Sequence, residues 1–193
     1  MENIIQSFSL NGKRSLVTGA SKGIGASTAQ ILAEAGSDVF ITGRDLEGLK
    51  ETQENIESLG RKCLVIEADL SLENEANKVA DKALGVFGTI DILVNNAGTA
   101  LLENILSTSN EDWDKVQSVN LKTPFILAKL LAPNMIKQKS GKIVNISSVA
   151  SEFALQDHIA YSVSKSGLNM LTKSMTVEWA KHNIQTNSVC PTI

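Results

Sequence analysis

Six short β-branched runs, several of them nearly all apolar, alternate along this chain with five longer stretches of helical spacing, and that alternation leaves few folds open. The runs are Ser15–Thr18, Asp38–Thr42, Lys62–Glu67, Ile90–Asn95, Lys142–Ile146 and Ile184–Val189. Segments such as SLV, DVFI, DILV and IVNI show no polar alternation, so they read as strands buried on both faces of a parallel sheet. The helical stretches are Ile24–Ala35, Leu46–Leu59, Glu73–Val86, Asn110–Lys137 and Tyr161–His182. Repeated β–α–β units with right-handed crossovers give an open, doubly wound α/β sheet with helices on both faces. No Pro/Gly/Ser-rich linker, repeat or low-complexity tract interrupts the 193 residues, which predicts one domain over 1–193.

Composition removes several function classes. A net charge of −3 argues against a nucleic-acid surface. No apolar run approaches the roughly 18 residues of a membrane helix. Met1–Leu10 offers only Ile4-Ile5 and no basic n-region, unlike a secretory leader. Two cysteines, Cys63 and Cys190, make no disulfide framework. A cytoplasmic protein is expected.

Two helices are more apolar than one sheet contact requires. In Tyr161–His182, Leu168, Leu171, Met175 and Trp179 form one stripe, and Val163, Met170 and Val177 form a second. Asn110–Lys137 is apolar nearly all round. Helix-on-helix core packing and a subunit interface are both consistent with this pattern.

The chemistry begins at Thr18-Gly19-Ala20-Ser21-Lys22-Gly23-Ile24-Gly25, directly after the first strand. Glycines there permit a tight turn, close approach of backbone to a pyrophosphate, and helix-to-strand packing. The helix opening at Ile24 aims its N–H groups at the anion. The second strand ends in Thr42-Gly43-Arg44, with no carboxylate for a ribose 2′-hydroxyl. Arg44 and Lys22 instead suit a 2′-phosphate, which favours NADP(H) over NAD(H). Asp45 reads as a helix N-cap. Asp69-Leu70 closes the third strand and Asn95-Asn96-Ala97-Gly98 the fourth, where polar residues mark a binding crevice or simply serve as turn residues.

Ser147-Ser148 closes the fifth strand, and Tyr161 and Lys165 follow at i and i+4 on one helix face. Tyr161 is the only tyrosine in the chain. A free phenol titrates near about 10, and a neighbouring ammonium lowers that value, fitting the phenol for proton transfer to a carbonyl oxygen. A hydroxyl at Ser148 could hold the same oxygen. Asn120 is out of place in an apolar helix, because Asn competes with the helical backbone. Gln156 and His158, in the loop before Tyr161, are candidate substrate contacts.

In this order TGASKGIG, NNAG, SVNL, ISS and YSVSK resemble the short-chain dehydrogenase/reductase family, from about Lys13 to Pro191. The resemblance implies a Rossmann-type sheet of order 3-2-1-4-5-6 and hydride transfer between a nicotinamide ring and an alcohol or carbonyl. It makes Tyr161 the general acid–base and Ser148 the partner of the substrate oxygen. Lys165 would bind the nicotinamide ribose and lower the Tyr161 pKa, while Asn120 would hold a proton-relaying water. Gly19, Ser21, Lys22, Gly23, Ile24, Gly25 and Arg44 would line the phosphates. Asp69 and Leu70 would meet adenine, and Asn96, Ala97 and Gly98 the adenosine ribose. Pro191-Thr192 stands where Pro-Gly is usual, which leans toward carbonyl and sugar reductases; the backbone just beyond would grip the carboxamide. Family chains continue through a substrate-covering loop and a seventh strand, so further chain is expected beyond Ile193. The expected substrate is a small ketone, dicarbonyl or ketose, with a 3-oxoacyl thioester or a non-catalytic nucleotide-binding role as alternatives. A homo-oligomer, most simply a tetramer, is expected through helices 110–137 and 161–182. The strand order puts Cys63 and Cys190 on opposite edges, roughly 24 Å apart at about 4.8 Å per strand, too far to pair.

Overall fold

A computed structural model describes residues 8–192. Most of the Met1–Leu10 stretch, through Ser7, and Ile193 lie outside them. The strands are β1 (Arg14–Thr18), β2 (Asp38–Gly43), β3 (Cys63–Glu67), β4 (Ile92–Asn95), β5 (Gly141–Ile146) and β6 (Ile184–Val189). They form one six-stranded parallel sheet in the order β3-β2-β1-β4-β5-β6. The helices are α1 (Gly23–Glu34), α2 (Leu46–Ser58), α3 (Glu73–Phe87), α4 (Asn110–Gln117), α5 (Thr123–Gln138) and α6 (Ile159–Trp179).

Strand burial on both faces follows directly from the apolar runs. Leu16, Phe40, Leu93 and Ile143 enter one core with Ala76 and Val79 of α3 and Leu127, Leu131 and Met135 of α5. Their neighbours Val17, Ile41 and Val94 enter a second with Ala29 and Ala33 of α1 and Leu49 and Ile56 of α2. Burying each such side chain contributes about 1.5–3 kcal/mol. Asp45 caps α2, its Oδ1 accepting from Gly48 N at 3.1 Å. Cys63 starts one edge strand and Cys190 follows the other, and both thiols are free. Burial, reinforced by Glu57, raises the Cys63 thiol to about 12.

Most element ends fall within one residue of the sequence reading, and three elements differ by more. The stretch Ile90–Asn95 enters the ladder only from Ile92, and Asp91 before it caps the start of β4, its carboxylate accepting from Arg14 N and pairing with Lys13 while its carbonyl accepts from Lys142 N. Helix Tyr161–His182 starts at Ile159 and ends at Trp179, with a 3-10 turn over Ala180–His182. The expected single helix Asn110–Lys137 is broken by a π turn, Ser118–Lys122, with Asn120 at its centre. The second apolar stripe of α6 stays outside both cores, with Met170 60% and Val177 83% exposed. Among the described residues no helix is long and apolar enough to cross a membrane.

Candidate active site

The chain runs β1 to β3 in one direction across the sheet and then jumps back to β4, so the strand ends of β1 and β4 diverge into a crevice. A cleft of about 290 Å³ opens there. Gly19, Ser21 and Lys22 line it from the first turn, Arg44 from the second strand, Asp69 and Leu70 from the third, and Asn96, Ala97 and Gly98 from the fourth. Gly43, Asp45, Ala68, Thr99, Lys115 and Val119 complete the wall.

Local sequence explains how this wall holds its shape. Gly19 has φ +65°, a region that disfavours a Cβ. A Cβ at Gly25 would overlap the Gly19 carbonyl and Asn96 Nδ2, so α1 can approach β1 only with glycine there. Asn96 Nδ2 donates to the carbonyls of Thr18 (2.9 Å) and Gly19 (3.0 Å), pinning the glycine turn to the end of β4. Thr18 Oγ1 accepts from the backbone N–H groups of Asn96 (3.0 Å) and Ala97 (2.9 Å).

The cleft is cationic although the chain is acidic. Lys22, Arg44 and Lys115 line it, and all three side chains are exposed. The Asp69 carboxyl sits below its ordinary range, chiefly because it accepts from the Ser71 backbone N–H (3.0 Å), with smaller help from Arg44 and Lys115. The donor set fits a dinucleotide: backbone at a glycine turn, guanidinium and ammonium for phosphate, and a carboxylate and apolar wall at the adenine edge.

Ser148, Tyr161 and Lys165 do not line this cleft; they stand beyond its Gly98 end. A Cβ on Gly98 would lie 3.6 Å from both Lys165 Nζ and Asn120 Oδ1. Lys165 is 4% exposed, and its Nζ donates to the Ile146 carbonyl at 2.7 Å. That ammonium lies 5.7 Å from the centre of the Tyr161 ring. Burial lowers the Lys165 pKa from 10.5 to about 8, with the Cys190 sulfur opposing. Ser148 Oγ accepts from Ala150 N at 3.1 Å, which leaves its own proton free to donate.

Asn120 is fully buried and committed to protein partners. Its Oδ1 accepts from Thr99 N (2.8 Å), and its Nδ2 donates to Thr99 O and Ser164 Oγ, both at 2.9 Å. Ser164 in turn donates to the Tyr161 carbonyl at 2.7 Å. The side chain thus braces α6 against the loop after β4, and the π turn places it there. Of the loop candidates, His158 packs edge-on to Tyr161 with centroids 6.4 Å apart, and its Nδ1 meets the Gln156 carbonyl at 2.6 Å. The Gln156 side chain is exposed. The Pro191 carbonyl accepts from Val149 N (3.3 Å) and steadies the Ser148 turn, while Thr192 is exposed. Gly23, Ile24 and Gly25 shape the turn and the start of α1 without lining the cleft.

Sequence reasoning missed Thr99, Lys115, Val119 and Ser164. Thr99 directly follows the Asn-Asn-Ala-Gly run and was findable by continuing one residue. Lys115 and Val119 are one helical turn apart before Asn120, but a lone Lys and Val on a helix carry no signal of their own.

A parallel doubly wound sheet with a cationic glycine-turn cleft and a Tyr–Lys pair at its end defines a nicotinamide-dinucleotide oxidoreductase. Residues 13–193 match the family model described as short chain dehydrogenase. The chain is 41% identical over 189 residues to 2-dehydro-3-deoxy-D-gluconate 5-dehydrogenase of Escherichia coli, covering 97% of this chain and 74% of that protein. It is 42% identical over 183 residues to the 3-oxoacyl-[acyl-carrier-protein] reductase of Aquifex aeolicus, covering 94% and 74%. Among solved structures, a gluconate 5-dehydrogenase from Burkholderia cenocepacia in complex with NADP and tartrate superposes with a TM-score of 0.89 at 34% identity, covering 98% and 74%. The chain belongs to the short-chain dehydrogenase family and is an oxidoreductase acting between CH–OH and C=O groups.

Proposed function

We propose that this chain is one catalytic domain, residues 1–193, that interconverts a secondary alcohol and a ketone on a small polyhydroxylated acid or ketose with NADP(H). The observation that carries the reading is the Lys165 ammonium, buried and fixed beside both the only tyrosine and the Gly98 end of a cationic dinucleotide cleft. Similarity to dehydrogenases of gluconate and of 2-dehydro-3-deoxy-D-gluconate supports a sugar-acid substrate.

Ser21, Lys22 and Arg44 would hold the phosphates, Asp69 and Leu70 the adenine, and Asn96 to Gly98 the adenosine ribose. The dinucleotide supplies the hydride. Tyr161 gives its proton to the carbonyl oxygen during reduction and takes it back during oxidation. Ser148 Oγ accepts from Ala150 N, so its O–H proton is free to donate to the same oxygen. Lys165 stabilises negative charge on the Tyr161 oxygen and would hold the nicotinamide ribose of a bound dinucleotide. Asn120, the residue expected to hold a proton-relaying water, here spends its side chain on Thr99 and Ser164 and so anchors the π turn behind Tyr161. His158 borders the substrate space beside Tyr161, with Gln156 and Thr192 at its exposed rim.

In subunit terms, exposed Val163, Met170 and Val177 of α6 and half-exposed Phe125 of α5 make a face suited to a homodimer, and a tetramer needs a further contact. A cytoplasmic location goes with this proposal.

The test is NADPH oxidation with 5-keto sugar acids, ketoses, diketones and acetoacetyl thioesters. Turnover is expected with the first two groups, and Tyr161→Phe should lower it by about 10²–10⁴-fold. Preference for the thioesters would move the assignment to 3-oxoacyl reduction. No turnover with any carbonyl, despite NADPH binding, would leave a nucleotide-binding protein without this chemistry.

A further inference from the structure

Resting on the reading of Ser148 above, we propose that Asn169 is a positioning residue, tying the Ser148 turn to the helix that carries Tyr161 and Lys165. Residues 161, 165 and 169 follow at i, i+4 and i+8, so they stand along one face of α6. Asn169 Nδ2 donates to Ser151 Oγ at 2.7 Å and to Glu152 Oε1 at 3.1 Å. Ser151 Oγ donates in turn to the Ser148 carbonyl at 2.6 Å. One turn earlier on α6, Ser166 Oγ donates to the Ser151 carbonyl at 2.7 Å. The Glu152 carboxylate accepts only, so the amide nitrogen must face it, and this fixes which way the Asn169 amide is turned.

The route from Asn169 to the Ser148 carbonyl is therefore two hydrogen bonds long. Ser148 reaches the substrate oxygen from the end of β5, whereas Tyr161 reaches it from α6. Bonds from Lys165 to Ile146 and from Asn145 to Thr172 hold β5 itself to α6, and the Asn169–Ser151–Ser148 chain carries that tie past the strand end to the turn that presents Ser148. A displacement of about 1 Å between groups that act on one atom can cost on the order of 10²-fold in rate.

The decisive experiment is a double-mutant cycle of Asn169→Leu with Ser148→Ala, run on whichever carbonyl of the panel turns over. Asn169→Leu should lower kcat by on the order of tenfold, with the KM for NADPH unchanged, and add nothing once Ser148 is alanine. An undiminished effect in the Ser148→Ala background would overturn the proposal. A silent Ser148→Ala would instead overturn the reading of Ser148 itself. Hydrogen exchange supplies a readout that needs no substrate. In Asn169→Leu the amides of Ala150 to Phe153 should exchange faster by about tenfold while those of Leu168 to Met175 stay protected. An unchanged turn, or equal loosening of the helix, would refute the positioning role.

Discussion

Replacing Lys165 with methionine should remove a pH dependence of stability that the wild-type fold carries because it buries an ammonium. The group is 4% exposed, and its pKa falls from 10.5 to about 8 through burial. The penalty of burying the charge is fully present below about 8. It is lifted as pH rises toward 10.5, where the unfolded chain also loses the proton. Between those limits the unfolded state binds more protons at this site, so wild-type stability rises with pH. At about 1.36 kcal/mol per pKa unit, the gain approaches roughly 3 kcal/mol. Near pH 7 the variant escapes the burial penalty but loses the charged hydrogen bond to the Ile146 carbonyl, about 1.5–3 kcal/mol, so the two proteins should be close in stability there. The slope is the diagnostic. Urea unfolding, followed by tryptophan fluorescence from pH 7 to 10.5, should show wild type gaining about 3 kcal/mol relative to Lys165→Met. Both proteins should carry Tyr161→Phe, so that the neighbouring phenol cannot titrate. Parallel curves across this range, or a gap that widens in favour of methionine, would refute a buried, desolvated Lys165.

Two further outcomes follow from the cleft and the helix face. Arg44→Asp should move preference from NADPH toward NADH by at least tenfold in kcat/KM, because it removes a phosphate partner and offers a carboxylate to a ribose hydroxyl; an unmodified protein that already prefers NADH would contradict the roles of Lys22 and Arg44. The pair Met170→Glu and Val177→Lys should convert a dimer to monomer at micromolar concentration in light scattering, and a wild-type protein that is already monodisperse and monomeric would remove the proposed interface.

Much of the architecture was readable because buried parallel strands announce themselves as unbroken apolar runs. Leu16-Val17 and Phe40-Ile41 send alternate side chains into opposite cores, which requires two apolar neighbours in a row. The glycine turn, Arg44, Asp69 and the Asn96–Gly98 run were legible as positions because each ends a strand, and strand ends are where this topology opens. The break at Ser118–Lys122 was not. The segment is apolar nearly all round, so a one-residue slip in phase leaves no clear mark in a periodicity count; the only visible sign was a polar Asn120 among apolar neighbours. Lys115 and Asn169 were invisible for a different reason. Each acquires its partners through tertiary folding, from a strand end and a turn remote in sequence, and an isolated Lys or Asn on a helix is ordinarily a solvated side chain.

The π turn also has a bearing on how this chain tolerates changes in length. A π turn absorbs one residue more than an α-helix does over the same rise, while the helices on either side keep their phase. Deleting one residue within 118–122 would let the segment heal into an unbroken helix, with Leu127 and Leu131 still facing the sheet and Val116 still buried. The loss would fall on Asn120 and its bonds to Thr99 and Ser164. In the language of insertions and deletions, the scaffold and the brace are separately editable here: one codon removes the support behind Tyr161 without repacking the protein.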